Sequence, residues 1–275
     1  MRAGPAELAL GWLTVGGTDP FDWLAAAHAG GFKGLGVKIA PRPGEPEPGL
    51  LRDEALRREF SGECRRTGIR LLNMGSIWLD GGIPPQDYAR ALDVGAELGA
   101  EYVVGISTDS DAGRRRAEMR VLAAMARERG MRLTIEFFAY SAIRTFDEAS
   151  GLVAEMEDRQ AGILFDALHF HRSGGVLSDI TTENAGRVDY FQLCDAPRAL
   201  PKGMTLSEEG RCARLFPGEG GIALREIMKR LPASIGIEVE IPHPALKALP
   251  PVERGREAMR NTLSFLDGAM NSRPA

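Results

Sequence analysis

The chain is poor in the residues that build most redox, zinc-cluster and nucleic-acid sites. Three cysteines occur in 275 residues, and Cys64, Cys194 and Cys212 lie far apart with no CxxC pair. That excludes a disulfide framework and thiolate zinc modules, and it points to a reducing cytosol. Basic residues are not in excess: 34 Lys and Arg face 38 Asp and Glu, for a net charge of −4. Such a balance gives no electrostatic footprint for nucleic acid or an anionic membrane. No apolar run approaches the ~20 residues that a membrane span needs. The start, MRAGPAELALGWLTVGG, lacks the apolar stretch and small-residue cleavage site of a secretory leader. GxGxxG is missing after the first strand-like run, and the glycines of GGFKGLG fall between a helix end and a strand, the wrong place to cradle a dinucleotide. No GxSxG supports Ser-His-Asp chemistry.

What is present is an alternation. Short apolar runs read as strands: ELALGWLTV (7–15), KGLGVKIA (33–40), RLLNMGSI (70–77), YVVGIS (102–107), RLTIEFF (132–138), GILFDAL (162–168), DYFQLCD (189–195) and SIGIEVE (234–240). Amphipathic stretches such as DEALRREFSGECRRTG and RRRAEMRVLAAMARERG separate them, several ending in the Gly that stops a helix. Only the connection from about 172 to 187 reads weakly as a helix. Eight βα repeats predict a single (β/α)₈ TIM barrel, one domain over residues 1–275, with PRPGEPEPG (41–49) as a long loop.

Strands of an all-parallel barrel are buried on both faces and should be almost wholly apolar. The last four break that rule near their C-terminal ends, with Glu136, Asp166, Gln192 and Glu238. The side-chain period of two puts Ile135 and Phe137 opposite Glu136, and Ile237 and Val239 opposite Glu238. If the apolar neighbours face the helices, the polar residues converge inside the mouth, where barrel active sites are built. Three carboxylates crowded there repel one another and are costly to bury uncompensated. One divalent metal ion resolves the repulsion. An all-oxygen set suits Mn²⁺ or Mg²⁺ ahead of Co²⁺ or Zn²⁺. Glu240 shares the parity of Glu238 and is the alternative ligand on that strand.

In RLTIEFF, GILFDALHFHRSGG, VDYFQLCDAP, RLFPGEGGIAL and IGIEVE the chain resembles the xylose-isomerase-like barrels known as sugar phosphate isomerases/epimerases. That group includes tagatose and psicose epimerases, hydroxypyruvate isomerase, inosose dehydratase and dehydroshikimate dehydratases. The resemblance covers mainly residues 130–240 and is specific for the superfamily, not for a substrate. It implies Glu136, Asp166, Gln192 and Glu238 as metal ligands, with His169 and Arg214 as substrate-binding groups. One departure matters. The third ligand is His in the well-known epimerases and Gln192 here, as in some dehydroshikimate dehydratases. A QPFRDFEG-like stretch of the bacterial dehydratases is missing, and the third strand reads NMGSIWLDGG instead.

Other residues are candidates on their own chemistry. Lys38 interrupts the second strand and Arg172 precedes two glycines; either can meet a phosphate or carboxylate. Trp78 can stack on a sugar ring. The expected partner is a small polyhydroxylated carbonyl compound. The expected reaction is isomerisation or epimerisation through an enediolate, with Glu136 and Glu238 removing and returning the proton. The alternative on the same inventory is a dehydratase of a dehydroshikimate- or inosose-like compound. A repair nuclease of the superfamily would need more His ligands than four histidines supply. A non-catalytic sugar-binding barrel would bind metal and sugar without turnover. Homologous barrels often dimerise, although nothing in these residues signals a homodimer.

Overall fold

The computed structural model describes residues 8–42, 44–156 and 160–270. In it eight parallel strands close into a barrel in chain order, with the first hydrogen-bonded to the eighth. They are β1 (Leu8–Leu10), β2 (Gly34–Lys38), β3 (Arg70–Leu79), β4 (Tyr102–Ser107), β5 (Arg132–Glu136), β6 (Ala161–Asp166), β7 (Val188–Leu193) and β8 (Gly236–Val239). The barrel expected from the alternation is thus the fold. Residue 7, Pro43 of the long loop, the end of TFDEASGLVAEMED and the outermost parts of the expected 1–275 domain lie outside the described residues.

Local chemistry sets where the outer helices begin. Asp19, Asp53, Asp111 and Thr145 each accept a backbone N–H from the first turn of the helix that follows, satisfying donors with no intrahelical partner. The connection after β6 is irregular, as its weak pattern predicted. It holds a six-residue helix, Ala167–Arg172, then single turns at Leu177–Asp179 and Thr182–Ala185.

Packing separates into two layers. Outward-facing Ile135, Phe137, Phe165, Phe191, Ile237 and Val239 are buried in the large cluster between barrel and helices. Each contributes about 1.5–3 kcal/mol relative to an exposed side chain. Inside the barrel, Val104, Ile106, Phe138, Leu164 and Tyr190 form a separate apolar cluster. The inner core positions the site, because the polar residues lie at the strand ends around it.

The closing helix, Pro251–Met270, packs most extensively on Pro20–Gly30. Contact there is backbone to backbone: a Cβ on Gly255 would lie 1.9 Å from the Ala26 carbonyl oxygen. Gly255→Ala must push the two helices apart. It is expected to destabilise the fold by about 1–3 kcal/mol, the usual cost of overpacking, read as a lowered urea midpoint. An unchanged midpoint would show that the helices separate freely.

Two strand expectations are corrected. LALGWLTV is not one strand: the sheet ends at Leu10, and Trp12–Val15 is a helical turn. A Cβ on Gly11 would lie 2.9 Å from Glu240 Cγ, so the chain passes close to that side chain where strand gives way to helix. GILFDAL stops being a strand at Asp166, because Asp166 caps the helix that follows. Among the described residues no helix is long and apolar enough to cross a membrane.

Candidate metal centre and active site

Asp166, Gln192 and Glu238 are register partners across β6, β7 and β8, so they form one row at the end of the sheet. Glu136 ends β5 and pairs with Leu164, two residues before Asp166. All four side chains are buried. Glu136, Gln192 and Glu238 line a cavity at the C-terminal mouth of about 610 Å³, counted to its open end, together with Asn73, Trp12, Trp78, His169, Arg214 and Glu240.

Glu238 is held from two sides. Asn73 on β3 donates to its Oε1 at 2.9 Å, and the Gln192 amide donates to its Oε2 at 2.8 Å. The same Asn73 amide donates to the Tyr190 hydroxyl at 3.0 Å. Reaching Asn73 from β8 requires open space over β2, and Gly36 supplies it. A Cβ there would stand 2.3 Å from Glu238 Oε1 and 2.9 Å from Asn73 Oδ1. Gly36→Ala is therefore expected to displace the carboxylate. Misplacement of about 1 Å costs roughly 10²-fold in rate, so kcat should fall much further than stability, measured side by side. Unchanged turnover would show that the position of Glu238 is immaterial.

Asp166 joins a strand end to a helix start. Its Oδ1 accepts the His169 backbone N–H at 2.9 Å, and its Oδ2 accepts from Arg214 at 2.5 Å. Arg214 is fully enclosed. Its Nε donates to the Gly210 carbonyl, and its other guanidinium nitrogens reach Asp166 and, at 3.3 Å, Glu240. The RLFPGEGG segment around it is fixed by Asp195, whose carboxylate accepts from the backbone of Gly218, Gly220 and Ile222. Burial raises the Asp166 carboxyl, but Arg214, His169 and the cap hydrogen bond outweigh it and hold it below its ordinary range. His169 lies with its Nε2 3.6 Å from Glu136 Oε1. Burial lowers the imidazole to about 4, so it is neutral and this is a contact, not an ion pair.

The donors fit a divalent cation on three observations. Glu136 and Glu238 are pushed up, first by burial and then by neighbouring carboxylates. One guanidinium therefore leaves the centre short of positive charge. The Gln192 Oε1 is buried with no hydrogen-bond partner, which leaves a hard carbonyl donor unsatisfied. Ligand atoms of Glu136, Asp166 and His169 lie within 4.8 Å of one another. His169, expected to meet substrate, is thus also a candidate ligand. Asp166, with both oxygens already engaged, is the least free of the set.

Comparison with known proteins agrees with this fold. The family model described as "Xylose isomerase-like TIM barrel" matches residues 24–266. The chain belongs to that family. It is 24% identical over 182 residues to an inosose isomerase from Bacillus licheniformis, covering 62% of this chain and 64% of the relative. It is 26% identical over 235 residues to a 3-dehydroshikimate dehydratase from Pseudomonas aeruginosa, covering 81% of this chain and 35% of the relative. The matches thus span less than two thirds of either relative's length. The crystal structure of the IOLI protein with a bound zinc atom superposes with a TM-score of 0.75 at 16% identity, covering 98% of this chain and 99% of that one. The superposition shows a shared fold over nearly the whole of both chains.

Not every predicted site residue of this xylose isomerase-like barrel reaches the cavity. Trp78 does, packed on Phe138 with ring centroids 6.0 Å apart. Lys38 does not: its ammonium pairs with Glu45. Arg172 does not either. Glu209 grips its guanidinium through two 2.6 Å bonds, and the Pro197 carbonyl takes a third. Arg172's partner lies 37 residues on, and Lys38's seven residues on across a loop with no regular pattern, so a reading of motifs pairs neither. Arg214 lines the cavity as an internal counter-charge, its nitrogens already engaged. Asn73 was missed, although it interrupts an apolar strand as visibly as Glu136 does. Arg42, Tyr140 and Arg211 also line the cavity; all three lie in the loops and helices that follow strands, where hydropathy patterns carry no signal.

Proposed function

We propose that this barrel is a divalent-metal-dependent isomerase or epimerase acting on a small hydroxylated carbonyl compound. The observation that carries the reading is the placement of Glu136 and Glu238, two buried carboxylates from β5 and β8, on one cavity beside the unpartnered oxygen of Gln192. Glu136, Asp166, Gln192 and Glu238 would hold the ion, with His169 in reserve and Mn²⁺ or Mg²⁺ favoured by the oxygen donors. When bound, the ion polarises the substrate's carbonyl and so acidifies the adjacent carbon.

The protein's own groups do the proton work. One carboxylate takes the proton from the carbon beside the carbonyl, and the other returns a proton to that carbon or to its neighbour. Asn73 and Gln192 fix the Glu238 carboxylate for this task. Trp12, Trp78 and Phe138 give the cavity apolar walls that hold water back from the reacting carbon.

Dehydration of a keto-cyclitol or a dehydroshikimate-like acid is the second reading. It is supported by Gln192 in place of His and by the long match to a 3-dehydroshikimate dehydratase. Both reactions begin with the same proton removal. Incubation with ketoses, keto-acids and keto-cyclitols plus Mn²⁺ in D₂O, followed by NMR and ultraviolet absorbance, separates them. Deuterium entering at the carbon beside the carbonyl, with a new isomer, is the expected result. A conjugated enone would identify the dehydratase. Neither outcome across the panel, despite metal and sugar binding, would leave a binding protein.

A further inference from the structure

The charges facing the cavity are sorted by depth. Glu136, Glu238 and Glu240 form a buried acidic floor, with Arg214 among them as counter-charge and Asp166 buried against that arginine. Two more arginines, Arg42 and Arg211, line the same cavity. Among the described residues neither guanidinium has an ion-pair or hydrogen-bond partner. Every other cation considered for this mouth is already neutralised: Arg214 by Asp166, Lys38 by Glu45 and Arg172 by Glu209.

Arg42 is held in place rather than loosely solvated. Its backbone N–H donates to Glu45 Oε2 at 3.3 Å, and that carboxylate also pairs with Lys38. Its guanidinium carbon sits 4.5 Å from the centroid of the Trp78 ring. A guanidinium over a ring face is held by the ring's quadrupole and keeps N–H groups for a ligand. Arg211 comes from the other side of the chain, on the helix Leu206–Cys212. Gly210 beside it packs against His169 and Tyr140, where a Cβ would meet His169 at 3.4 Å and the Tyr140 hydroxyl at 3.5 Å. The exposed end of Arg211 is thus tied by its helix to the site.

An acidic floor repels a carboxylate or phosphate, whereas two free guanidinia attract and orient one. We propose that the substrate carries an anionic group, carboxylate or phosphate, gripped at the cavity mouth by Arg42 and Arg211, with its hydroxy-carbonyl end toward the floor. The direction of the second end rests on the proposed function; the anion preference does not. A neutral polyol would leave both guanidinia without a partner.

The test is binding, read without turnover. Full-length protein is titrated by calorimetry at low salt with D-glucuronate, D-glucose 6-phosphate and D-glucose, once with Mn²⁺ and once with a chelator. At least one anion is expected to bind about tenfold or more tighter than glucose, roughly the worth of a hydrogen bond to a charged group. Whichever anion wins distinguishes carboxylate from phosphate. Arg42→Ala and Arg211→Ala should each remove most of that preference while leaving the melting temperature and metal content at wild-type values. Equal affinity for all three sugars, no binding of either anion, or a preference that both variants retain would overturn the proposal. Because the Arg42 and Arg211 variants keep the metal, a failed anion preference is distinguishable from a failed metal centre.

Discussion

Glu238→Gln is expected to lower kcat by about 10²–10⁴-fold, the range contributed by a positioned acid or base, with little change in the fold. The substitution keeps the shape of the side chain and removes its ability to exchange a proton with carbon. It also disturbs the two hydrogen bonds that fix the carboxylate. Asn73 and Gln192 both present amide N–H groups to it, at 2.9 and 2.8 Å, and an amide at position 238 offers only one acceptor for the pair. Steady-state turnover together with deuterium exchange at the carbon beside the carbonyl would measure the loss. A kcat within about threefold of wild type would remove Glu238 from the proton transfer, and Glu240 would then be the group to examine.

Arg214→Met is expected to destabilise the protein by about 3–5 kcal/mol, the cost of breaking a buried ion pair by removing one partner. Asp166 is wholly buried and loses the guanidinium 2.5 Å from its Oδ2, while Glu240 loses a partner at 3.3 Å. The pH dependence follows from the direction of the Asp166 shift. In the wild type its carboxyl is held below the ordinary range. Its stabilising contribution is therefore complete above the unfolded value near 4 and fades as pH falls below that. Without Arg214 the largest of the lowering influences is gone, while the His169 cap hydrogen bond remains, so burial weighs more heavily and the variant's Asp166 is stabilised by protonation. The gap between variant and wild type should therefore be large at pH 7 and narrow toward pH 4. Urea unfolding in the presence of a chelator would read both. A loss below about 1 kcal/mol, or a gap that widens in acid, would mean that the guanidinium is not the counter-charge of the site.

Much of this was legible in the sequence because one rule covers both barrel and site. Buried parallel strands must be apolar, so Glu136, Asp166, Gln192 and Glu238 stand out, and the period of two assigns them to the inner face. The structure places all four there, in register on β6 to β8 and at the end of β5. Legibility ended where a side chain's state depends on a partner that only the folded chain brings to it. Lys38 and Arg172 look like anion-binding groups until Glu45 and Glu209 are seen to neutralise them. Arg42 and Arg211 interrupt no strand and drew no reading; the structure sets one over Trp78 and both on the cavity wall. The first strand was misread because Trp12 and Leu13 are apolar in either role. The close approach of Glu240 to Gly11 shows why glycine stands at the turn from strand to helix.

Metal analysis of the purified protein, wild type against Glu136→Gln/Asp166→Asn, tests the metal centre most directly. The four-strand site predicts about one equivalent of divalent metal per chain in the wild type, after reconstitution with Mn²⁺ if required, and its loss in the double variant. A wild type that takes up no metal, or a double variant that keeps its full complement, would contradict it.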